Sequence, residues 1–225
     1  MMRRFLLFLV LLLLIHTNRQ MINGSEVLTI SNETSEIQAL FTEMNLTGVV
    51  NYTAFEQAMI GYKKICEKKK EILTLIDFSK PSSEERLYVF DVKQKKVLYT
   101  SIVSHGRNSG SLYATSFSNK SGSFKSSLGF YLTMNTYNGK NGYSLVLEGL
   151  EKGINDKARE RAIVMHGASY SDPSVISSSG RLGRSLGCPA LPLKVCKKII
   201  NEIKDGSLLY IYADNNDYLT QSSIL

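Results

Sequence analysis

The sequence predicts an α+β domain that is mainly β, with a few peripheral helices. Short runs of apolar, β-branched and aromatic residues recur between residues 87 and 212. Long loops rich in Gly, Ser and Asn separate them, notably 106–127 and 168–187. Two segments, 54–70 and 193–204, are read as helices from their apolar spacing. With 225 residues, 43% hydrophobic and 21% charged, the chain has ordinary globular composition and enough length for one core. Three cysteines exclude a disulfide-dense scaffold.

The N-terminus reads as an export signal over residues 1–20. Arg3 and Arg4 form a basic start, and Phe5–Ile15 is an unbroken apolar run, too short to span a bilayer. No A-x-A pattern follows, so the segment is either cut near residue 20 or kept as an N-terminal anchor. That anchor is the only membrane contact expected. Export places the protein in the periplasm or cell envelope, an oxidising setting without ATP. The formal charge is +7, and residues 1–20 hold three arginines and no acid, leaving +4 for the rest. This mild bias suits an anionic polymer. No Lys/Arg block is interleaved with aromatics, so no nucleic-acid partner is expected.

Residues 21–50 are polar and read as a linker, and the domain proper spans 51–220. Thr53 and Glu56 make a capping box, and Phe55, Ala58, Met59, Tyr62, Ile65 and Cys66 share a face, predicting a helix over 54–70. Cys66 then falls on the apolar stripe. Residues 87–92 and 97–103, joined by a lysine-rich turn, read as a hairpin. Further strands are expected at 130–134, 144–147, 162–165 and 208–212. A second helix fits 193–204, where Leu193, Cys196, Ile199, Ile200 and Ile203 share a face. Cys66 and Cys196 could pair as a disulfide in an exported protein, yet both also suit small buried sites.

The third cysteine sits differently, in Gly183-Arg184-Ser185-Leu186-Gly187-Cys188-Pro189-Ala190. Gly187 permits close backbone approach and Pro189 stiffens the turn, so Cys188 is a presented side chain. Arg181 and Arg184 are expected to stabilise its thiolate. His166 ends an apolar run, precedes Gly167 and is the expected base; His105, before Gly106, is the rival base or a cleft wall. Asp172 or a backbone carbonyl would fix the imidazole tautomer. Backbone N–H groups around Gly187 and Cys188 would meet an oxyanion.

His166-Gly167 followed by Gly183-Arg184-Ser185-Leu186-Gly187-Cys188 resembles the signature of the murein L,D-transpeptidase (YkuD-type) catalytic domain. It is most similar to the branch that reads G-R-S-x-G-C-P-A. Further similar stretches include Asp77–Ser82, Arg86-Leu87, His105–Gly110, Ala114–Asn119, Ser127–Tyr131 and Arg159–Ala162. The resemblance runs from about residue 52 to residue 218. It implies a β-sandwich-like fold and thioester chemistry on peptidoglycan stem peptides, both donor and acceptor. It implies Cys188 as nucleophile, His166 as base, the Gly167 carbonyl as its orienting group, and the Gly187 and Cys188 amides as the oxyanion hole. Arg181, Arg184, Ser185 and His105 are expected on the substrate side. Two positions depart from the wider family pattern: Leu186 replaces a histidine, and Ala190 replaces an arginine.

No cofactor is expected, because a thioester keeps the energy of the amide it replaces. No metal is expected either, since His105, His166 and Cys188 lack close-spaced ligand pairs. A sortase-like site needs an arginine after the cysteine, and Pro189 to Leu225 contains none. A papain-like or NlpC-type site needs a histidine after the cysteine, which is also missing. The expected activity is L,D-transpeptidation, by cross-linking or D-amino acid exchange. The alternatives are L,D-carboxypeptidase trimming of the same stems and a non-catalytic wall-binding protein.

Overall fold

The computed structural model describes residues 32–225. The expected export segment, residues 1–20, lies outside the described residues. Among those described, no helix is long and apolar enough to cross a membrane.

The α+β, mainly β class holds. Eight strands are hydrogen-bonded into one sheet in the order β3-β2-β1-β8-β4-β5-β6-β7. They are β1 (Ile72–Asp77), β2 (Leu87–Asp91), β3 (Lys96–Ser101), β4 (Gly129–Gly139), β5 (Gly142–Gly149), β6 (Val164–Gly167), β7 (Ala190–Leu191) and β8 (Leu208–Tyr212). The hairpin β2–β3 forms as its sequence predicts. Strands β1 and β8 run parallel at the centre and are buried along their whole lengths. Strand β1 shows no apolar alternation because both its faces are covered, so no strand was expected there.

The expected linker over 21–50 is corrected where it is described. Residues 32–43 form helix α1. Its Ile37 and Phe41, with Met44 just beyond, are buried in the core. Phe41 meets Tyr52 and Phe55 edge-to-face, at ring separations of 5.2 and 5.4 Å. The physical signal was the spacing Ile37, Leu40, Phe41, Met44, one face of a helix hidden among polar residues.

The next helix, α2 (Tyr52–Lys64), starts two residues before the expected span and stops six before its end. Asn51 rather than Thr53 caps it, its side chain accepting from the Ala54 N–H at 3.3 Å. At the other end Ile65 turns to an extended conformation and stays buried. The chain then leaves to reach α4 (Leu193–Ile203) and the turn after it. Lys69 N–H donates to the Gly206 carbonyl, and Lys70 Nζ to that of Glu202. Lys68–Lys70 therefore lie outside the helix, and Cys66 is exposed rather than core. All three cysteines are free.

The helix α4 forms as expected, with Cys196, Ile199, Ile200 and Ile203 buried. Its packing reaches the end of β6. A Cβ on Gly167 would lie 3.0 Å from Leu193 Cδ2 and 3.2 Å from Cys196 Cβ, so glycine lets the helix close onto that strand. Two short helices complete the fold, α3 (Pro173–Ser179) inside the loop 168–187 and α5 (Asn216–Gln221) at the C-terminal end.

Candidate active site

The segment carrying Cys188 is held between two stretches of backbone. On one side β7 runs parallel to β6, pairing Ala190 with His166 and Leu191 with Gly167. On the other, Ser104 bridges to Ala190 and Gly106 to Ser185. Followed two residues back, the β6–β7 register sets Cys188 beside Val164, and the Val164 N–H indeed faces the sulfur. Cys188 itself lies in the bend just before β7, against Val164, two residues from His166 along β6.

His166 is buried, with 5% exposure. Its Nδ1 lies 3.0 Å from the carbonyl oxygen of Gly167. A carbonyl only accepts, so Nδ1 carries a proton, and Nε2 is the nitrogen left as acceptor whenever the ring is neutral. Asp172 is not the orienting group. It caps α3, accepting from the Ser174 N–H and hydroxyl at 3.0 and 2.7 Å.

Cys188 is 9% exposed, and burial pushes its thiol up from the ordinary value. The Val164 N–H, the Arg161 guanidinium and the Cys188 N–H oppose burial without overcoming it. The sulfur points its proton at the Ala162 carbonyl, 3.7 Å away. Burial therefore favours the thiol over the thiolate expected from the sequence.

Arg181 and Arg184 do not serve the sulfur. Their charges act on His105. Arg181 Nη1 donates to the Leu182 carbonyl at 2.8 Å, and Arg184 Nη1 to those of Arg107 and Gly110 at 3.2 and 3.0 Å. The arginine at the sulfur is Arg161, which the sequence presented only as part of a similar stretch.

The expected place of His105 in the cleft is also corrected. It is fully buried, and both ring nitrogens are engaged: Nδ1 accepts from Arg86 Nη2 at 2.9 Å and Nε2–H faces the Gly110 carbonyl at 3.3 Å. Burial, helped by the Arg86 charge, holds it down to about 4. It can neither accept a proton from Cys188 nor meet a substrate. Arg86 is itself buried, donates to the carbonyls of Val103 and Lys80, and lies over the Phe78 ring.

The oxyanion donors are likewise rearranged. The Gly187 N–H donates to Ser185 Oγ at 3.1 Å, and that hydroxyl donates to the Cys188 carbonyl at 2.6 Å. Among the described residues the Cys188 N–H has no other acceptor and remains for an oxyanion. Ser185, expected to meet substrate, is buried and instead fixes the turn. Gly187 is required by its backbone. Its φ is +129°, and a Cβ would lie 2.9 Å from both Ile163 Cδ1 and the Lys125 carbonyl oxygen. Among the described residues no three His, Cys, Asp or Glu side chains gather as a metal site would need.

A family model described as the L,D-transpeptidase catalytic domain matches residues 47–212. Solved structures similar to the chain include an L,D-transpeptidase from Mycobacterium smegmatis, 15% identical with a TM-score of 0.40, covering 64% of this chain and 59% of that one. Another is an L,D-transpeptidase from Mycobacterium tuberculosis, 12% identical with a TM-score of 0.40, covering 63% and 57%. The helical cell shape determining protein Pgp2 from Campylobacter jejuni is 14% identical with a TM-score of 0.41, covering 71% and 56%. The chain thus spans less than two thirds of each. No curated protein matches it.

Proposed function

The chain belongs to the L,D-transpeptidase catalytic-domain family, and from that premise we propose that it is an exported cysteine acyltransferase acting on peptidoglycan stem peptides. The observation that carries this reading is the 3.0 Å contact between His166 Nδ1 and the Gly167 carbonyl, at the end of the strand that pairs with the Cys188 segment. With Nδ1–H held there, Nε2 is the nitrogen left to act as base.

The reaction runs in two halves. The Cys188 sulfur attacks the carbonyl of the bond between the L-centre of a stem residue and the following D-alanine, while His166 Nε2 takes the thiol proton. The carbonyl oxygen becomes an oxyanion and meets the Cys188 N–H. When the tetrahedral intermediate collapses, the C–N bond breaks and His166 returns the proton to the departing amine, leaving a thioester. An amine of a second stem then attacks the thioester, His166 takes a proton from that amine, and the sulfur leaves as a thiol. The product is a new amide, a cross-link or an exchanged D-amino acid. Water in the amine's place trims the stem instead. Burial disfavours a free thiolate, so proton transfer to His166 is coupled to attack.

The test is incubation of the purified protein with tetrapeptide muropeptides, followed by mass spectrometry. Dimers joined without the terminal D-alanine, or stems carrying an added D-amino acid, support transpeptidation. Shortened monomers alone make the protein a carboxypeptidase. Unchanged muropeptides from a folded protein leave only a wall-binding role. Export is read separately, from the N-terminus of the mature protein recovered from the envelope.

A further inference from the structure

Residues 152–162 form a run of turns that ends in a tight reversal. Ile163 N–H donates to the Ala158 carbonyl at 2.9 Å, and Ala162 N–H to that of Arg159 at 3.1 Å. This is the paired bonding of a Schellman stop, with Ala162 at the left-handed position, φ +54°. The reversal has two consequences at the site. It turns the Ala162 carbonyl toward the Cys188 sulfur, and it sets the Arg161 side chain under the loop 106–127.

There the guanidinium is clamped by neutral oxygens only. Nη1 donates to the Ser118 carbonyl at 2.8 Å and to Ser127 Oγ at 2.6 Å. Nη2 donates to the Lys125 carbonyl at 2.6 Å and lies 3.4 Å from Ser123 Oγ. Among the described residues no carboxylate pairs with it, whereas its neighbour Arg159 reaches Glu148 at the surface. Nη2 also lies 3.5 Å from the position a Cβ would take on Gly187, the residue before the nucleophile. A full positive charge, fixed and unneutralised, therefore stands beside the Gly187-Cys188 turn.

We propose that Arg161 is the cation of this active site, holding negative charge on the Cys188 sulfur and on the substrate oxyanion, and that it supplies from β6's leading turn the basic group missing at Ala190. The inference rests on the acyltransferase reading for its oxyanion half and on geometry alone for its thiol half. In a partly buried site a unit charge a few ångströms away outweighs a single neutral donor. The shared anchoring also accounts for Ser123 and Ser127 in the loop 106–127: their hydroxyls, with the backbone carbonyls of Ser118 and Lys125, solvate a cation that a carboxylate would have cancelled. The other titratable groups near the sulfur are Tyr170, on the loop after β6, and His166, two residues along β6 from the Val164 that faces the sulfur.

The test uses the full chain with Cys66→Ser, which removes the exposed thiol, and compares R161Q and R161K. Cys188 is alkylated with anionic iodoacetate and with neutral iodoacetamide on either side of the ordinary thiol pKa, and adducts are located by peptide mass. R161Q is expected to lower the iodoacetate-to-iodoacetamide rate ratio roughly tenfold and to move the iodoacetamide midpoint upward by about one pH unit. R161K, which keeps the charge but not the fork, is expected to stay within roughly threefold of the parent ratio. A purely structural Arg161 would change melting temperature and leave both readings where they were. An unchanged ratio in folded R161Q overturns the proposal, and where R161Q does not fold, loss of the ratio in folded R161K does so. Failure of the parent protein to form a thioester with stem peptides, with the alkylation readings as expected, would remove the acyltransferase reading and leave Arg161's effect on the thiol standing.

Discussion

Ser185 holds Cys188 by its backbone: the Ser185 hydroxyl donates to the Cys188 carbonyl at 2.6 Å while accepting the Gly187 N–H at 3.1 Å. One buried side chain thus closes the turn that presents the nucleophile, and it leaves the Cys188 N–H as the remaining donor. Ser185→Ala removes both bonds and leaves two backbone groups unpaired. A stability loss of about 1–3 kcal/mol is expected, with acylation slowed even where the variant is folded. Chemical denaturation and the rate of acyl-adduct formation check the two effects separately.

Gly187→Ala attacks the same turn from its backbone. A Cβ there meets Ile163 and the Lys125 carbonyl at 2.9 Å, on a φ of +129°. Strain of roughly 1–3 kcal/mol is expected from the dihedral alone. The melting temperature should fall and acylation should be lost, whereas Gly180→Ala, at a glycine with open space around it, should lower stability without abolishing acylation.

His105 gives the fold a pH signature. Its pKa is held down to about 4 from an ordinary 6.5. A depressed pKa stabilises the folded state above the unfolded value, and that stabilisation is lost as pH falls toward the folded one. Between about 6.5 and about 4 the contribution is roughly 3 kcal/mol. Asp77 and Glu151, whose carboxyls burial pushes upward, change stability in the opposite sense over the acid range. The comparison is therefore parent against His105→Gln, which still offers Arg86 an acceptor. The variant should show the flatter acid limb in denaturation curves; identical limbs would contradict the buried neutral imidazole.

Glu151 locks the C-terminal segment. Its buried carboxylate accepts from the Phe130 N–H at 2.7 Å, from Ser222 Oγ at 2.5 Å and from the Tyr218 hydroxyl at 3.1 Å. Glu151→Ala strands three donors and should cost about 2–4 kcal/mol. Limited proteolysis should then cut first within residues 216–225, and protection of that segment in the variant would refute the lock.

The strands that alternate or end in turn residues were legible in the sequence, as was the face of α4. Strand β1 was not, because a strand covered on both sides carries no period. Helix α1 was overlooked because Ile37, Phe41 and Met44 stand among polar residues that lower the average. The end of α2 was set by a tertiary contact: Lys69 pairs with Gly206, far along the chain, and nothing local marks Lys64 as the last turn. At the site, Cys188, His166 and Gly167 stood out by residue type and neighbours. Arg161 did not, since its role depends on a turn that ends at Ala162, where glycine would have been the visible signal. Nor could residue types show that Ser185 takes the Gly187 N–H or that His105 faces inward.

The central claim is that Cys188 forms the covalent acyl bond and His166 enables it. Intact-mass measurement after exposure to a carbapenem, a reactive acyl donor, tests it most directly. A single adduct mapped to Cys188 is expected in the parent protein, none in Cys188→Ala, and at least roughly hundredfold slower formation in His166→Ala. An adduct that persists in Cys188→Ala, or a rate in folded His166→Ala equal to the parent's, would contradict it.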